Sequence, residues 1–241
     1  YIVGHFLGDE ALAAVSIAGT ATYMMFSIIM GVTTGVGVVV SQFYGAQKEQ
    51  EIRKAFVAGG YVAAVMALLI TVAGMATTGP LLTILHTSKK LFPMAAAYLL
   101  VIYAGSIATM LYNFSAAVLR SLGNSMIPLL FLILSSVLNV FLDVVFIAWI
   151  PMGTAGAAFA TALAQLISGV LCIWYALKSL PFLRVKGKQW KPDKGLVKEV
   201  LRYGIPTGLQ MSIISVSDMT LQAVINTYGT AMIVAYGVCM K

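Results

Sequence analysis

The sequence predicts an all-α, polytopic membrane protein. Of its 241 residues, 60% are hydrophobic and only 10% are charged, and the mean hydropathy is +0.94. Because a soluble domain carries about 25% charged residues, this composition excludes a soluble enzyme and a nucleic-acid-binding protein, although the net charge is +7. Apolar runs of about 20 residues, the length that a helix needs to cross a bilayer, recur between short polar turns.

Six apolar segments precede a basic stretch. Their predicted limits are 1–7, 11–43, 55–78, 93–119, 126–149 and 154–177. The first is the end of a span that we expect to be cut, since the chain opens inside an apolar segment without an initiator methionine. A turn follows at Gly8 to Glu10, Gly79 and Pro80 are predicted to end the third span, and Pro128 opens the fifth helix.

Small residues in two of these spans predict close helix packing. Gly31 and Gly35 in the second span have the GxxxG spacing that lets another helix backbone approach. The sixth span is rich in alanine, so it is also expected to pack closely against its neighbours.

Residues 178–203 differ in composition because they hold eight of the fifteen Lys and Arg residues. Asp193 can cap a short helix there. Four residues form the apolar face of that helix: Leu196, Val197, Val200 and Leu201. We interpret the stretch as a linker with an amphipathic helix that lies on the membrane surface.

The basic residues predict the orientation of the chain. The loops 44–54, 120–125 and 178–203 fall on one side and hold twelve Lys and Arg residues, whereas the opposite turns hold only Lys89 and Lys90. The positive-inside rule places the twelve, and with them the linker, in the cytoplasm of a multi-pass protein of the cell membrane.

An internal repeat indicates two lobes in the same orientation. Residues 1–18 are similar to 222–238 when Gly8 is aligned with Gly229, since both read as a helix end, a glycine turn and an alanine-rich helix start. Parallel repeats are a transporter architecture; chance similarity between two apolar segments is the alternative. The predicted domains follow: an N-terminal transmembrane lobe at 1–177, the linker at 178–203, and the start of a C-terminal lobe at 204–241.

The fifth span carries a line of polar side chains. Ser135, Asn139 and Asp143 are four residues apart, so they share one helix face. An ionisable group inside a span is a functional-site hypothesis by default, and the alternative is an interhelical hydrogen-bond clasp. For Ser135 alone we favour the clasp.

Five stretches resemble the MATE family (multidrug and toxic compound extrusion transporters) in family order. They are GDEALAAVS at 8–16, SQFYGAQ at 41–47, LRSLGNSMIP at 119–128, NVFLD at 139–143 followed by GTAGAAFAT at 153–161, and GIPTGLQ at 204–210. Family members have twelve spans in two six-helix lobes. The resemblance therefore covers the first lobe, the linker and the start of the second lobe, and we expect these residues alone not to transport.

The resemblance implies a monomeric secondary transporter, not an enzyme, that exports bulky, amphipathic and often cationic small molecules in exchange for H⁺ or Na⁺. It implies no cofactor beyond the coupling ion. It assigns binding of that ion to Asp143 and Asn139 on the fifth span, Thr161 on the sixth and Asn113 on the fourth. The family's acidic residue on the first span falls before Tyr1.

The coupling chemistry at Asp143 has two forms. Desolvation disfavours the charged form of a carboxyl, so this group can hold a proton at neutral pH and release it when the cavity opens to water. Alternatively, Asp143, Asn139 and Thr161 offer the oxygen ligands that hard cations such as Na⁺ prefer. The sequence leaves H⁺ and Na⁺ open and predicts no other metal.

Asp218 lies inside the predicted seventh span, 204–228, in the polar run SVSDMTLQ. A charge at that depth costs about 2.5–3.5 kcal/mol on insertion scales. With Gly229 aligned on Gly8, its first-lobe counterpart falls just before Tyr1, where the family's first-span acid is expected. We therefore predict that Asp218 binds ion or substrate in the second lobe, and a hydrogen-bonded clasp is the alternative.

The residues also bear on three other functions. A lipid-linked oligosaccharide or polysaccharide flippase of the same superfamily is the closest alternative, but such proteins usually carry several cationic residues in the cavity, and the predicted spans before Lys241 hold none. An intramembrane enzyme would need paired acids such as GxGD, or HxxxH within a span, and neither motif occurs. A passive channel would need a ring of matched polar residues, which a single asymmetric chain does not show.

Overall fold

The computed structural model describes residues 2–85, 87–185 and 187–227, and within them seven α-helices and no strand. The helices are α1 (Ile2–Gly45), α2 (Glu49–Ile84), α3 (Phe92–Ala104), α4 (Ser106–Ser121), α5 (Met126–Val144), α6 (Gly153–Ser179) and α7 (Lys194–Thr227). A π-helical turn, Val145–Trp149, extends α5.

Four of these segments are long and apolar enough to cross a membrane: α1, α2, α6, and α5 with its π-helical turn. The bent pair α3–α4 makes a fifth. This confirms the all-α, multi-pass membrane class. Helix α7 does not reach the same hydropathy within the described residues, because polar side chains interrupt it, so its role as the seventh span stays a prediction.

The turn predicted at Gly8 is present. Gly8 has φ 82° and ψ 178°, a conformation that side-chain-bearing residues avoid, and the helix resumes at once. Glu10, directly after this break, forms an ion pair with Lys90 in the turn between α2 and α3. Because that pair joins two turns at the same end of the helices, it agrees with the predicted alternation of the spans.

Two predictions about α2 are wrong. The polar loop expected at 44–54 is mostly helical: only 46–48 separate the two helices, and Glu49 and Glu51 in the first turn favour a helix start. Helix α2 also continues through Pro80 to Ile84 instead of ending at Gly79. Membrane helices tolerate proline because neighbouring groups can satisfy the backbone that it leaves unpaired.

The predicted fourth span consists of two helices that meet at an angle of 44°. Gly105 lies at the bend, where a Cβ would come within 2.5 Å of the Ala162 Cβ on α6. The hydroxyl of Thr71 on α2 hydrogen-bonds the Ser106 hydroxyl at 2.9 Å and donates to the Tyr103 carbonyl at 3.1 Å. Contacts from α2 and α6 therefore hold the bend from both sides.

Helix α6 packs against α3, α4 and α5. Its alanine-rich composition allows this, as predicted, since Ala157, Ala160 and Ala164 are buried along one side. Helix α5 is the least buried spanning helix and exposes apolar side chains such as Leu130 and Val137. Most of the packed surface of α5 therefore faces α6.

The linker helix and the start of the seventh span form one continuous helix. The Asp193 Oδ1 accepts hydrogen bonds from the backbone N–H groups of Gly195 (2.7 Å) and Leu196 (3.3 Å), which confirms the predicted cap. From there α7 runs through Pro206. Leu196 and Val200 are buried against the protein core, so the placement of this face on the membrane surface is wrong. The domain boundary at 203/204 stays a prediction.

Candidate functional site

A hydrogen bond joins the predicted site residues of α5 and α6. The Asn139 Nδ2 donates to the Thr161 Oγ1 at 3.1 Å, and the Thr161 hydroxyl donates to the Ala157 carbonyl at 3.0 Å. Both side chains are half-buried. The Asn139 amide oxygen is therefore left to accept a hydrogen bond or to bind a cation, because only the nitrogen is used in the contact.

Asp143 lies one helical turn beyond Asn139, toward the predicted extracellular end of α5. Its Oδ1 is buried and has no hydrogen-bond partner within the described residues. The π-helical turn begins two residues later, at Val145, and such turns are frequent at functional sites. A buried carboxyl oxygen without a partner is costly, so this group is available for a proton or a cation.

Tyr98 was not predicted from the sequence. It lies on α3, close enough to Asp143 for the two groups to interact electrostatically. No spacing or motif distinguishes Tyr98 from the other aromatic residues of the spans, so only the packing of α3 reveals it. Gln165 and Ser168 on α6 were missed for the same reason, and each carries a buried oxygen without a partner in the described part of the chain.

Asn113 does not join this group by hydrogen bonding. It lies on α4 with 9% of its surface exposed, and its Nδ2 donates to the Thr109 carbonyl in its own helix at 2.8 Å. The structure therefore brings Asn139 and Thr161 into contact, with Asp143 one turn away, while the role of Asn113 stays a prediction. Ser135, one turn before Asn139, is 3% exposed.

Several predictions fall outside the described residues. Asp218 lies on α7, but its side chain is not described. The predicted eighth span from residue 230 and Gly229 lie outside the described residues, so the repeat stays a prediction. Among the described residues no three His, Cys, Asp or Glu side chains cluster. A cation at the α5–α6 site would depend on Asp143 and on neutral oxygens of Asn139 and Thr161.

Comparison with known proteins gives consistent matches. The MatE family model matches residues 1–145. The probable multidrug resistance protein YpnP of Bacillus subtilis is 32% identical over 99% of this chain and 53% of its own length. The multidrug export protein MepA of Staphylococcus saprophyticus is 25% identical over 100% of this chain and 53% of its own length. The chain therefore spans about half the length of these relatives.

Solved structures share the fold. A MOP superfamily transporter from Pyrococcus furiosus superimposes with a TM-score of 0.90 and 23% identity, over 99% of this chain and 54% of that one. An outward-facing multidrug resistance MATE family transporter gives a TM-score of 0.87 and 23% identity, over 95% of this chain and 51% of that one.

Proposed function

Because this chain belongs to the MATE family, as its match to the MatE model shows, we propose that the protein is a monomeric antiporter of the cell membrane. It exports amphipathic, often cationic small molecules and takes H⁺ or Na⁺ in exchange. Two matched relatives are named for multidrug resistance and multidrug export, which supports this substrate class. No feature of the described residues favours a flippase.

The observation that carries the proposal is the Asp143 carboxyl beside the Asn139–Thr161 hydrogen bond. A carboxyl held in a protein interior binds a proton or a cation more readily than one in water, because binding removes a charge that is poorly solvated there. Opening the site to one side of the membrane restores solvation and releases the ion. Alternating exposure of this one group thus couples ion entry to substrate exit.

The Asn139–Thr161 contact supports this role because it fixes the geometry near the carboxyl. With its nitrogen donated to Thr161, the Asn139 side chain presents its oxygen and cannot turn freely. A polar group held in this way is ready for a ligand, so little ordering is needed when the ion binds. The second lobe, through Asp218, would provide the other polar surface of the cavity.

The proposal is tested with the complete protein in liposomes. Efflux of ethidium, an amphipathic cation, is measured by fluorescence under an imposed pH gradient in sodium-free buffer, and then under a Na⁺ gradient at equal pH on both sides. Efflux that depends on one gradient supports the antiporter and identifies the ion. Efflux that is the same without either gradient would contradict ion coupling.

A further inference from the structure

Two oxygen atoms buried in α6 have no role in the site described so far. The Gln165 Oε1 and the Ser168 Oγ are inaccessible to solvent and lack a hydrogen-bond partner in the described part of the chain. Ser168 is completely buried. Buried polar groups that lack a protein partner are normally hydrogen-bonded to ordered water, so these two oxygens are places where a buried water would bind.

These oxygens continue the line of polar groups that begins at Asp143. Helices α5 and α6 are antiparallel neighbours, and the Asn139–Thr161 bond crosses between them. One turn from that bond, toward the predicted cytoplasmic end, lie Ser135 on α5 and Gln165 on α6. Ser168 follows after a further turn. Residues one turn apart on a helix are about 5–6 Å apart at their Cβ atoms, so the oxygens form a ladder.

The ladder leads to Tyr112 on α4. Gly169, next to Ser168, lets α4 approach so closely that a Cβ at this position would lie 2.9 Å from the Tyr112 backbone nitrogen. The buried Tyr112 hydroxyl donates to the Pro128 carbonyl, in the first turn of α5, at 3.0 Å. Its oxygen can still accept a hydrogen bond.

A cavity of about 330 Å³ lies at the same end of α4, α5 and α6. Its lining includes three polar residues and the ends of the three helices: Asn124, Ser125, Ser179, Leu119, Met126 and Tyr175. The cavity borders the 120–125 turn, which the positive-inside rule places on the cytoplasmic side. On α6 the cavity begins at Tyr175, two turns beyond Ser168, and the Tyr112 hydroxyl reaches the carbonyl of Pro128, two residues from Met126 in the cavity lining.

We propose that this ladder is a water-bridged proton path within the first lobe, from Asp143 to the cytoplasmic cavity. Buried water typically bonds to otherwise unsatisfied polar groups, and one water with two hydrogen bonds of about 2.8 Å spans one helical turn. Gln165 and Ser168 each hold such a water. The inference rests on proton coupling at the site proposed above.

The transfer leaves Asp143 as a carboxylate and returns every water and hydroxyl of the path to its starting form. The Asp143 carboxylic acid gives its proton to the adjacent water, and each water or serine hydroxyl that accepts a proton on one side releases one on the other. Gln165 holds its water through Oε1 and does not itself transfer a proton. The last proton leaves to water in the cavity. Tyr98 on α3 is the titratable side chain that interacts electrostatically with Asp143, and it carries no step of the transfer.

The test compares proton movement in the complete protein with that in the double variant Gln165→Leu/Ser168→Ala. Liposomes contain a pH-sensitive dye, and ethidium is applied in sodium-free buffer under a pH gradient. We expect ethidium-driven proton movement to fall about tenfold, the loss expected when two hydrogen bonds to relaying water are removed. Ethidium affinity and melting temperature should change little, because neither the Gln165 Oε1 nor the Ser168 Oγ has a hydrogen-bond partner in the described part of the chain.

Ser136→Ala is the matched control, because its exposed hydroxyl only donates to the Leu132 carbonyl of its own helix. Ser168→Ala alone serves as the second variant, since it removes one oxygen without a partner and should fold normally. Wild-type proton movement in either Ser168→Ala or the double variant would overturn the proton path. It would leave the proposed proton-coupled export intact. If the wild-type protein moves no protons with ethidium, both the path and proton coupling are wrong.

Discussion

Gly31 of α1 and Gly208 of α7 touch through their backbones: a Cβ on Gly31 would lie 2.5 Å from the Gly208 Cα and 2.7 Å from the Gly204 carbonyl oxygen. One turn along, a Cβ on Gly35 would collide with the Val200 carbonyl oxygen. The GxxxG spacing therefore does bring another helix close, as the sequence predicts. The partner is the helix that is predicted to open the second lobe.

The first prediction concerns this contact. Gly31→Ala should lower the melting temperature of the complete protein in detergent, because overpacking a close contact typically costs about 1–3 kcal/mol. Gly37→Ala is the control on the same helix, since its Cβ would meet only the Ala117 carbonyl oxygen, at 4.0 Å. Equal melting temperatures for the two variants would show that the α1–α7 contact is not tightly packed in the membrane protein.

The second prediction concerns Asp143. Asp143→Asn should abolish gradient-driven ethidium efflux with little change in melting temperature, because an amide keeps the shape of the carboxyl but cannot carry a proton or a charge. If Asp143 served only as a hydrogen-bond clasp, the Asn variant should transport nearly as well as the wild type, since interhelical hydrogen bonds in membranes contribute about 0.6–2 kcal/mol. Efflux is measured in liposomes at matched protein content. Wild-type efflux by this variant would remove Asp143 from the coupling mechanism.

The third prediction concerns the α5–α6 hydrogen bond. In a double-mutant cycle of Asn139→Ala and Thr161→Val, thermal unfolding should give a coupling energy of about 0.6–1.7 kcal/mol, the range for hydrogen bonds between membrane helices. Both single variants should weaken ion affinity rather than abolish coupling. Thr77→Val is the control, because the exposed Thr77 hydroxyl bonds to the Ala73 carbonyl of its own helix. A coupling energy near zero would contradict the contact.

The fourth prediction concerns orientation. Lys191 lies exposed in the linker before α7, which its basic residues place in the cytoplasm. A single cysteine at Lys191, in a background without the two native cysteines, should resist membrane-impermeant thiol reagents in intact cells and react after permeabilisation. A cysteine at Lys89, in the turn between α2 and α3, should react in intact cells. The reverse pattern would invert the topology.

The fifth prediction concerns Asp218. Asp218→Asn should shift the substrate or Na⁺ dependence of efflux without lowering thermal stability. The reason is that a carboxylate whose role is to bind ion or substrate does not hold the helices together. The measurement is a set of efflux curves at several ethidium and Na⁺ concentrations. If Asp218 is a clasp, the melting temperature should fall while both dependences stay unchanged, and Asp218 would then leave the site.

The sequence by itself determined what depends on composition and on neighbours along the chain. Hydropathy gave the membrane class, because burial in lipid needs long apolar runs. The helix break at Gly8 and the cap at Asp193 follow from the sequence, since backbone freedom and capping act within a few residues. The spacing of Asn139 and Asp143 placed both on one face, and the resemblance added Thr161, whose bond to Asn139 the structure confirms.

The tertiary structure decided what depends on contacts between distant segments. The bend at Gly105 needs the approach of α6, and the continuation of α2 past Pro80 needs a surrounding that tolerates the lost backbone bond. The apolar face around Val200 packs against α1 and α2 and not against lipid, because glycines on α1 and α7 let the two helix backbones come close. An apolar helix face does not encode its partner, and an oxygen such as the Ser168 Oγ is identified as buried and unpaired only once the helices around it are in place.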